Sequence, residues 1–107
     1  MPQNKPDVDH WEFERETKDL IPLTVETLSS SGVWTETSGY DVQCVALGTR
    51  PASGGWTDPT VAGGYTGYLV NGPTLAASTY PADYVGFYRL VVSPEDTVEK
   101  AFTLKLL

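Results

Sequence analysis

A chain of 107 residues has the size of one domain and can bury roughly two thirds of its unfolded surface without staples. Its single cysteine, Cys44, excludes an internal disulfide, and a net charge of −7 with Arg50, Arg89, Lys100 and Lys105 as the only basic residues beyond residue 19 argues against a nucleic-acid partner. No apolar run approaches the roughly 20 residues of a membrane span, and MPQNKPDVDH lacks the apolar centre of a signal peptide, so a soluble protein assembled in a reducing compartment is expected.

Gly, Pro and Tyr are plentiful, with many Thr and Val, which is the profile of a turn-rich β domain. Met1 to Asp9 is polar, carries two prolines and reads as an arm. In His10 to Asp19, Trp11 and Phe13 alternate with Glu12 and Glu14, which suits an extended segment; a short helix is the competing reading, since Glu, Arg and Lys favour helix. Residues 1–19 are therefore expected to form an extended N-terminal arm, and residues 20–107 the folded domain.

Leu20 to Leu28 reads as one strand with Ile21, Leu23 and Val25 on a single face. Pro22 has no N–H to donate, so that strand belongs at an edge. Between SSSG and ETSG, Val33 and Trp34 read as a wide turn with an aromatic plug. Asp41 to Leu47 is nearly continuous in apolar residues and reads as a central strand. Gly48 to Pro59 is a loop holding one large aromatic, Trp56. Tyr65 to Val70 is a strand closed by Asn71-Gly72-Pro73. Tyr84 to Val92 is the strongest strand, with Tyr88 and Leu90 on one face and Phe87 and Arg89 on the other. Ser93-Pro94-Glu95-Asp96 is a turn. Val98 to Leu106 returns with Phe102, Leu104 and Leu106 inward. Six or seven strands at this spacing predict an all-β fold, a compact immunoglobulin-like β-sandwich, although the Cys…Trp…Cys signature of antibody domains is missing.

The residues that carry chemistry are few. His10, the only histidine, lies beside the polar arm, a poor place for a base that must be held rigidly. Cys44 sits in an apolar strand and reads as a small hydrophobe. No His/Cys cluster suggests zinc, and the acids at Asp58, Glu95 and Asp96 read as turn formers, without the EF-hand pattern. Gly54-Gly55 and Gly63-Gly64 lead into no Lys-Ser or Lys-Thr pair, so they read as hairpin hinges and not as phosphate loops. No catalytic residue, metal or cofactor is expected. Trp11, Trp34 and Trp56 either cap the ends of the core or anchor an interface. A carbohydrate- or cell-surface-binding module, with Tyr65, Tyr68, Tyr80 and Tyr84 as an aromatic platform, is the reading of another class.

From residue 41 onward the order of features is a strand ending VAL, then GTRP, GGWTDP, GYLVNGP, TLAASTY, GFYRLVV and SPEDTVEKAFTLKL. This resembles small virion structural proteins of tailed bacteriophages, especially those of actinobacterial hosts, in its pattern and turn vocabulary. The resemblance implies a non-enzymatic, immunoglobulin-like part of the virion, assembled in the host cytoplasm. Capsid decoration, with the major capsid protein as partner, is the first expectation; a head–tail connector or tail accessory protein is the second. Self-association is a further option, and neither nucleic acid nor membrane is an expected partner. The residues expected at a protein interface are Trp11, Phe13, Arg15 and Trp56.

Overall fold

Among the described residues, the period-two alternation of the sequence becomes nine strands in three sheets. The computed structural model describes residues 9–37, 39–75, 77–92 and 95–107. In chain order the elements are β1 (Asp9–Phe13), β2 (Lys18–Pro22), β3 (Val25–Leu28), β4 (Trp34–Thr37), β5 (Tyr40–Ala46), β6 (Thr60–Ala62), β7 (Tyr65–Asn71), a single helical turn α1 (Gly72–Leu75), β8 (Ala82–Val92) and β9 (Glu95–Leu106). A four-stranded sheet has the order β1-β9-β8-β5, a three-stranded sheet the order β2-β7-β6, and β3 and β4 pair with each other. All pairings are antiparallel except β1 with β9.

The two larger sheets face each other. Ile21 of β2 and Val70 of β7 meet Tyr84 of β8 and Phe102, Leu104 and Leu106 of β9 in one buried cluster. The inward assignment of Phe102, Leu104 and Leu106 holds: all three are fully buried. A second cluster, Val25, Tyr40 and Val42, packs beside Leu23, Tyr68, Tyr88 and Leu90. It joins the root of the β3–β4 hairpin to the open end of the sandwich.

β8 and β9 slip register between Gly86 and Phe87, because Gly86 pairs with Phe102 while Phe87 pairs with Lys100. Ala101 is thus the extra residue of a β-bulge. Without it, Lys100 would share the inner face with Phe102. With it, Glu99 comes opposite Tyr88 and accepts the Tyr88 hydroxyl hydrogen. On the other sheet, Gly63 and Gly64 link β6 to β7, both at positive φ (59° and 82°), the left-handed conformation that a two-residue hairpin turn requires.

Several sequence expectations change. The boundary drawn at residue 19 runs through β2. β1 is built into the main sheet, with Trp11 opposite Leu104 and Phe13 opposite Leu106, so these rings have a core to join. The periodicity that made this segment extended is also what lets it add to β9; a parallel partner far along the chain leaves no local signal. Leu20 to Leu28 is two strands, because the chain leaves β7 after Pro22 and turns into the hairpin. Pro22 does lie on an edge strand. β5 is an edge strand of its sheet and not a central one; its apolar character reflects burial on both faces, and Thr57 of the following loop bonds to Val42 along its free edge. Trp34 is not a plug but is 55% exposed, paired with Leu28 at the hairpin tip. Of the turn read at Ser93-Pro94-Glu95-Asp96, Glu95 and Asp96 belong to β9, opposite Val92 and Val91, while Ser93 and Pro94 lie outside the described residues; of the arm read over Met1 to Asp9, Asp9 opens β1 and residues 1–8 lie outside the described residues.

A Cβ at Gly86 would run into the ring of Phe102, itself 1% exposed and unable to yield. Gly86→Ala is expected to destabilise the fold by about 1–3 kcal/mol in urea unfolding, as overpacking does. Gly54→Ala, where a Cβ meets nothing within 4 Å, should leave the midpoint unchanged.

Candidate protein-interaction surface

Three of the four expected interface residues come together where β1 ends. Trp11 and Phe13, two apart on one strand, stack with ring centroids 6.0 Å apart and planes 13° from parallel. Both are half-buried against the main core. Arg15 follows in the turn to β2. Its Nε donates to the carbonyl of Leu107 at 2.9 Å, and its guanidinium lies 4.0 Å from the centroid of the Tyr80 ring. Leu107 N–H donates to Phe13 at 2.9 Å, and Gly72 N–H to Thr17 at 2.9 Å. Gly72 is required at that point, since a Cβ there would strike the carbonyl of Arg15. The cluster thus ties the start of the described chain to its end.

Trp56 lies elsewhere, over the outer face of the main sheet. Residues 47–59 leave β5, fold across that face and return along the edge of β5. Gln43, 7% exposed, holds the loop like a second backbone: its Nε2 donates to Ala52 O at 2.9 Å and its Oε1 accepts from Ala52 N–H at 2.7 Å. Arg89 bonds Asp41 at 2.7 Å, and its guanidinium carbon lies 4.9 Å from the centre of the Trp56 ring. Asp41 and Arg89 are direct cross-strand partners, so the strand register itself brings the pair together.

The reactive side chains are dispersed. His10 sits on the outer face of β1, within 2.7 Å of the Thr103 hydroxyl and 3.1 Å of Glu12. Cys44 sits on the inner face of β5, opposite Gly86, at the other edge of the sheet. The two therefore do not meet. Burial pushes the Cys44 thiol up to about 12, against a smaller opposing effect of the Tyr68 hydroxyl. Burial, then the hydrogen bond and charge of Glu99, push Tyr88 up to about 12. Tyr40 is raised by burial first and by the charge of Glu36 second. Among the described residues, no group of three or more His, Cys, Asp or Glu is placed to hold a metal ion, and no helix is long and apolar enough to cross a membrane.

Among the described residues, Leu47, Leu69, Val98 and Leu107 are exposed one by one along the chain, and two hairpins each expose more than one large apolar side chain. Leu28, Val33 and Trp34 crowd the tip of the β3–β4 hairpin, and Val61 and Tyr65 flank the β6–β7 turn. Sequence alone separates this tip, with Leu28 read as the end of a strand and Val33 and Trp34 as a wide turn with an aromatic plug, because nothing local tells that the strands on either side pair with each other. The signal present was Leu28 and Trp34 placed symmetrically about the Ser-Gly turn. Compared with known proteins, the chain matches no family model, no curated protein and no solved structure.

Gln43→Ala removes both hydrogen bonds to Ala52, whose carbonyl keeps only the Gly55 N–H; at about 0.5–1.5 kcal/mol for each bond it should cost about 1–3 kcal/mol, with the loop losing its hydrogen-exchange protection first. Cys44 should resist a disulfide reagent at about pH 8 in the native protein and react with one equivalent in denaturant. Its folded pKa lies above the unfolded value, so the neutral thiol favours the fold. That stability is complete below about pH 9 and is lost as pH rises towards 12. The unfolding midpoint of Cys44→Ala should accordingly fall less steeply than that of the parent across this window.

Proposed function

We propose that the chain is a non-enzymatic virion structural protein of a tailed bacteriophage, binding the major capsid lattice as a decoration or minor capsid protein. The reading rests on the resemblance of residues 41–107 to such proteins and gains support from the fold. Setting aside the β3–β4 hairpin, seven strands remain. The third, sixth and seventh (β5, β8 and β9) share one sheet, and the second, fourth and fifth (β2, β6 and β7) share the other. That division is the one made by immunoglobulin-like sandwiches. The first strand departs from the constant-type order by joining the last strand rather than the second.

The observation that carries the reading is the allocation of side chains. Cys44, Tyr68, Tyr84 and Tyr88 are engaged inside the fold, and the outer face of β5 and β8 is roofed by its own loop. Five of the exposed large apolar groups, Leu28, Val33, Trp34, Val61 and Tyr65, stand at hairpin turns, and the others among the described residues are Leu47, Leu69, Val98 and Leu107. A particle protein needs such a division: an inert, rigid body and a few contact points repeated over many equivalent sites.

Quantitative mass spectrometry of purified virions is expected to find the chain at a fixed ratio to the major capsid protein, and immunogold labelling should place it on the head. Absence from virions would sink the proposal; label confined to the tail would favour the connector or tail accessory role. Deleting residues 1–8, which leaves β1 whole, tests the arm. Weaker particle binding by a folded domain is the expected result, and unchanged binding would remove the arm from the contact.

A further inference from the structure

We propose that the β3–β4 hairpin is a docking finger for a partner protein whose surface offers an apolar socket rimmed by lysine or arginine. This goes beyond the role in a virion and does not depend on whether the partner is a capsid lattice.

The finger is well defined. β3 and β4 bond to each other and to no other described strand. Val25 at the root is buried against Tyr40 and Val42, whereas every later described residue of the hairpin is half-buried or exposed. The turn is stiff. Ser29 N–H donates to Val33 O at 2.9 Å, Gly32 N–H to Ser29 O at 3.0 Å, and Val33 N–H to Ser29 Oγ at 3.1 Å. Gly32 takes the left-handed conformation, with φ at 82°, that closes a three-residue hairpin loop with a bulge. A stiff tip loses little conformational freedom on binding.

The tip is apolar where the hairpin stands clear of the core clusters. Leu28, Val33 and Trp34 are 52%, 57% and 55% exposed. Leu28 and Trp34 are direct cross-strand partners, so they share one face. Two residues nearer the root, that face carries Glu26 directly opposite Glu36. Like charges placed so destabilise a sheet, and neither carboxylate has an ion-pair partner among the described residues. The surrounding sequence supplies no relief: residues 19–49 contain Asp19, Glu26, Glu36 and Asp41, and no Lys, Arg or His.

The charge pattern selects the occupant. A second copy, with its own net charge of −7 and its own acidic finger, would be repelled, as would an anionic bilayer. A basic rim around an apolar socket would bury the tryptophan and also relieve the Glu26–Glu36 repulsion. Aromatic anchors flanked by complementary charge are the usual composition of an interface centre.

The probe is a random peptide display library panned on the full chain. Enriched peptides are expected to combine Lys or Arg with aliphatic or aromatic residues. They should bind Trp34→Ser on the order of thirtyfold more weakly, the loss that defines a hot spot. Val33→Ser serves as the second variant if Trp34→Ser alters the circular dichroism spectrum. Replacing both carboxylates, Glu26→Gln with Glu36→Gln, should weaken binding about fivefold at low salt and flatten its salt dependence. Peptides that lack basic residues, peptides indifferent to the finger variants, or no enrichment at all would overturn the proposal. So would a concentration-dependent dimer in sedimentation that Trp34→Ser abolishes, which would make a second copy the occupant. Trp34-dependent binding to phosphatidylcholine vesicles, with or without phosphatidylglycerol, would make it a membrane.

Discussion

The contact between the Phe102 ring and Gly86 organises the sandwich. Phe102 points inward from β9 and needs the space that a side chain at its cross-strand partner would fill. A strand shifted by one residue would present Thr103 and Lys105 to the core and place a Cβ under the ring. The glycine thus fixes the register of β8 on β9, and that register sets the rest. Leu104 and Leu106 fall on the same face, Trp11 and Phe13 dock against them through β1, and Ile21 and Val70 close the cluster from the opposing sheet. The Ala101 bulge lies directly beside this point. It resets the alternation so that the outer half of β9 pairs Glu99, and not Lys100, with Tyr88.

The outer face of the main sheet is managed differently. Apolar packing on that side is supplemented by paired polar groups: Gln43 bonds the backbone of Ala52, and one terminal nitrogen of Arg89 bonds Asp41 with the face of Trp56 beside it, while Arg89 Nε is buried without a partner. A buried amide is costly when unpaired and cheap when both its donor and acceptor are used. The loop over residues 47–59 is thereby held in one position without a disulfide. The same contacts put Trp56 to structural use, which separates it from the cluster of Trp11, Phe13 and Arg15.

The sequence made the strands legible wherever one face was apolar. The strands that became β7 and β8, the inward side of β9, the edge position of Pro22 and the Gly63-Gly64 hinge could all be read from local pattern. What could not be read was partnership. A parallel pairing between β1 and β9 joins residues some 93 apart, as His10 and Thr103 are, and nothing local encodes it. β5 looked central because loop and core bury both its faces, although its strand neighbour lies on one side only. Trp34 looked buried because a large aromatic ring usually is. Its exposure depends on the hairpin leaving the sandwich after Val25, which is a matter of tertiary packing.

The edges of the sandwich explain why that exposure carries information. A free strand edge invites indiscriminate pairing, and proteins blunt it. Here β2 has Pro22, β6 is three residues long, β5 is covered by Thr57, and β1 carries Glu12 and His10 on its outer face. With the described edges closed in these ways, adhesion through backbone pairing is suppressed around the body. Selection against stickiness at the edges would be pointless if an equally sticky hairpin tip served no purpose. Leu28, Val33 and Trp34 stand on a stiff turn, and the two carboxylates beside them narrow the partners they can meet. An apolar tip alone would bind any greasy surface; an apolar tip beside Glu26 and Glu36 rejects the acidic ones.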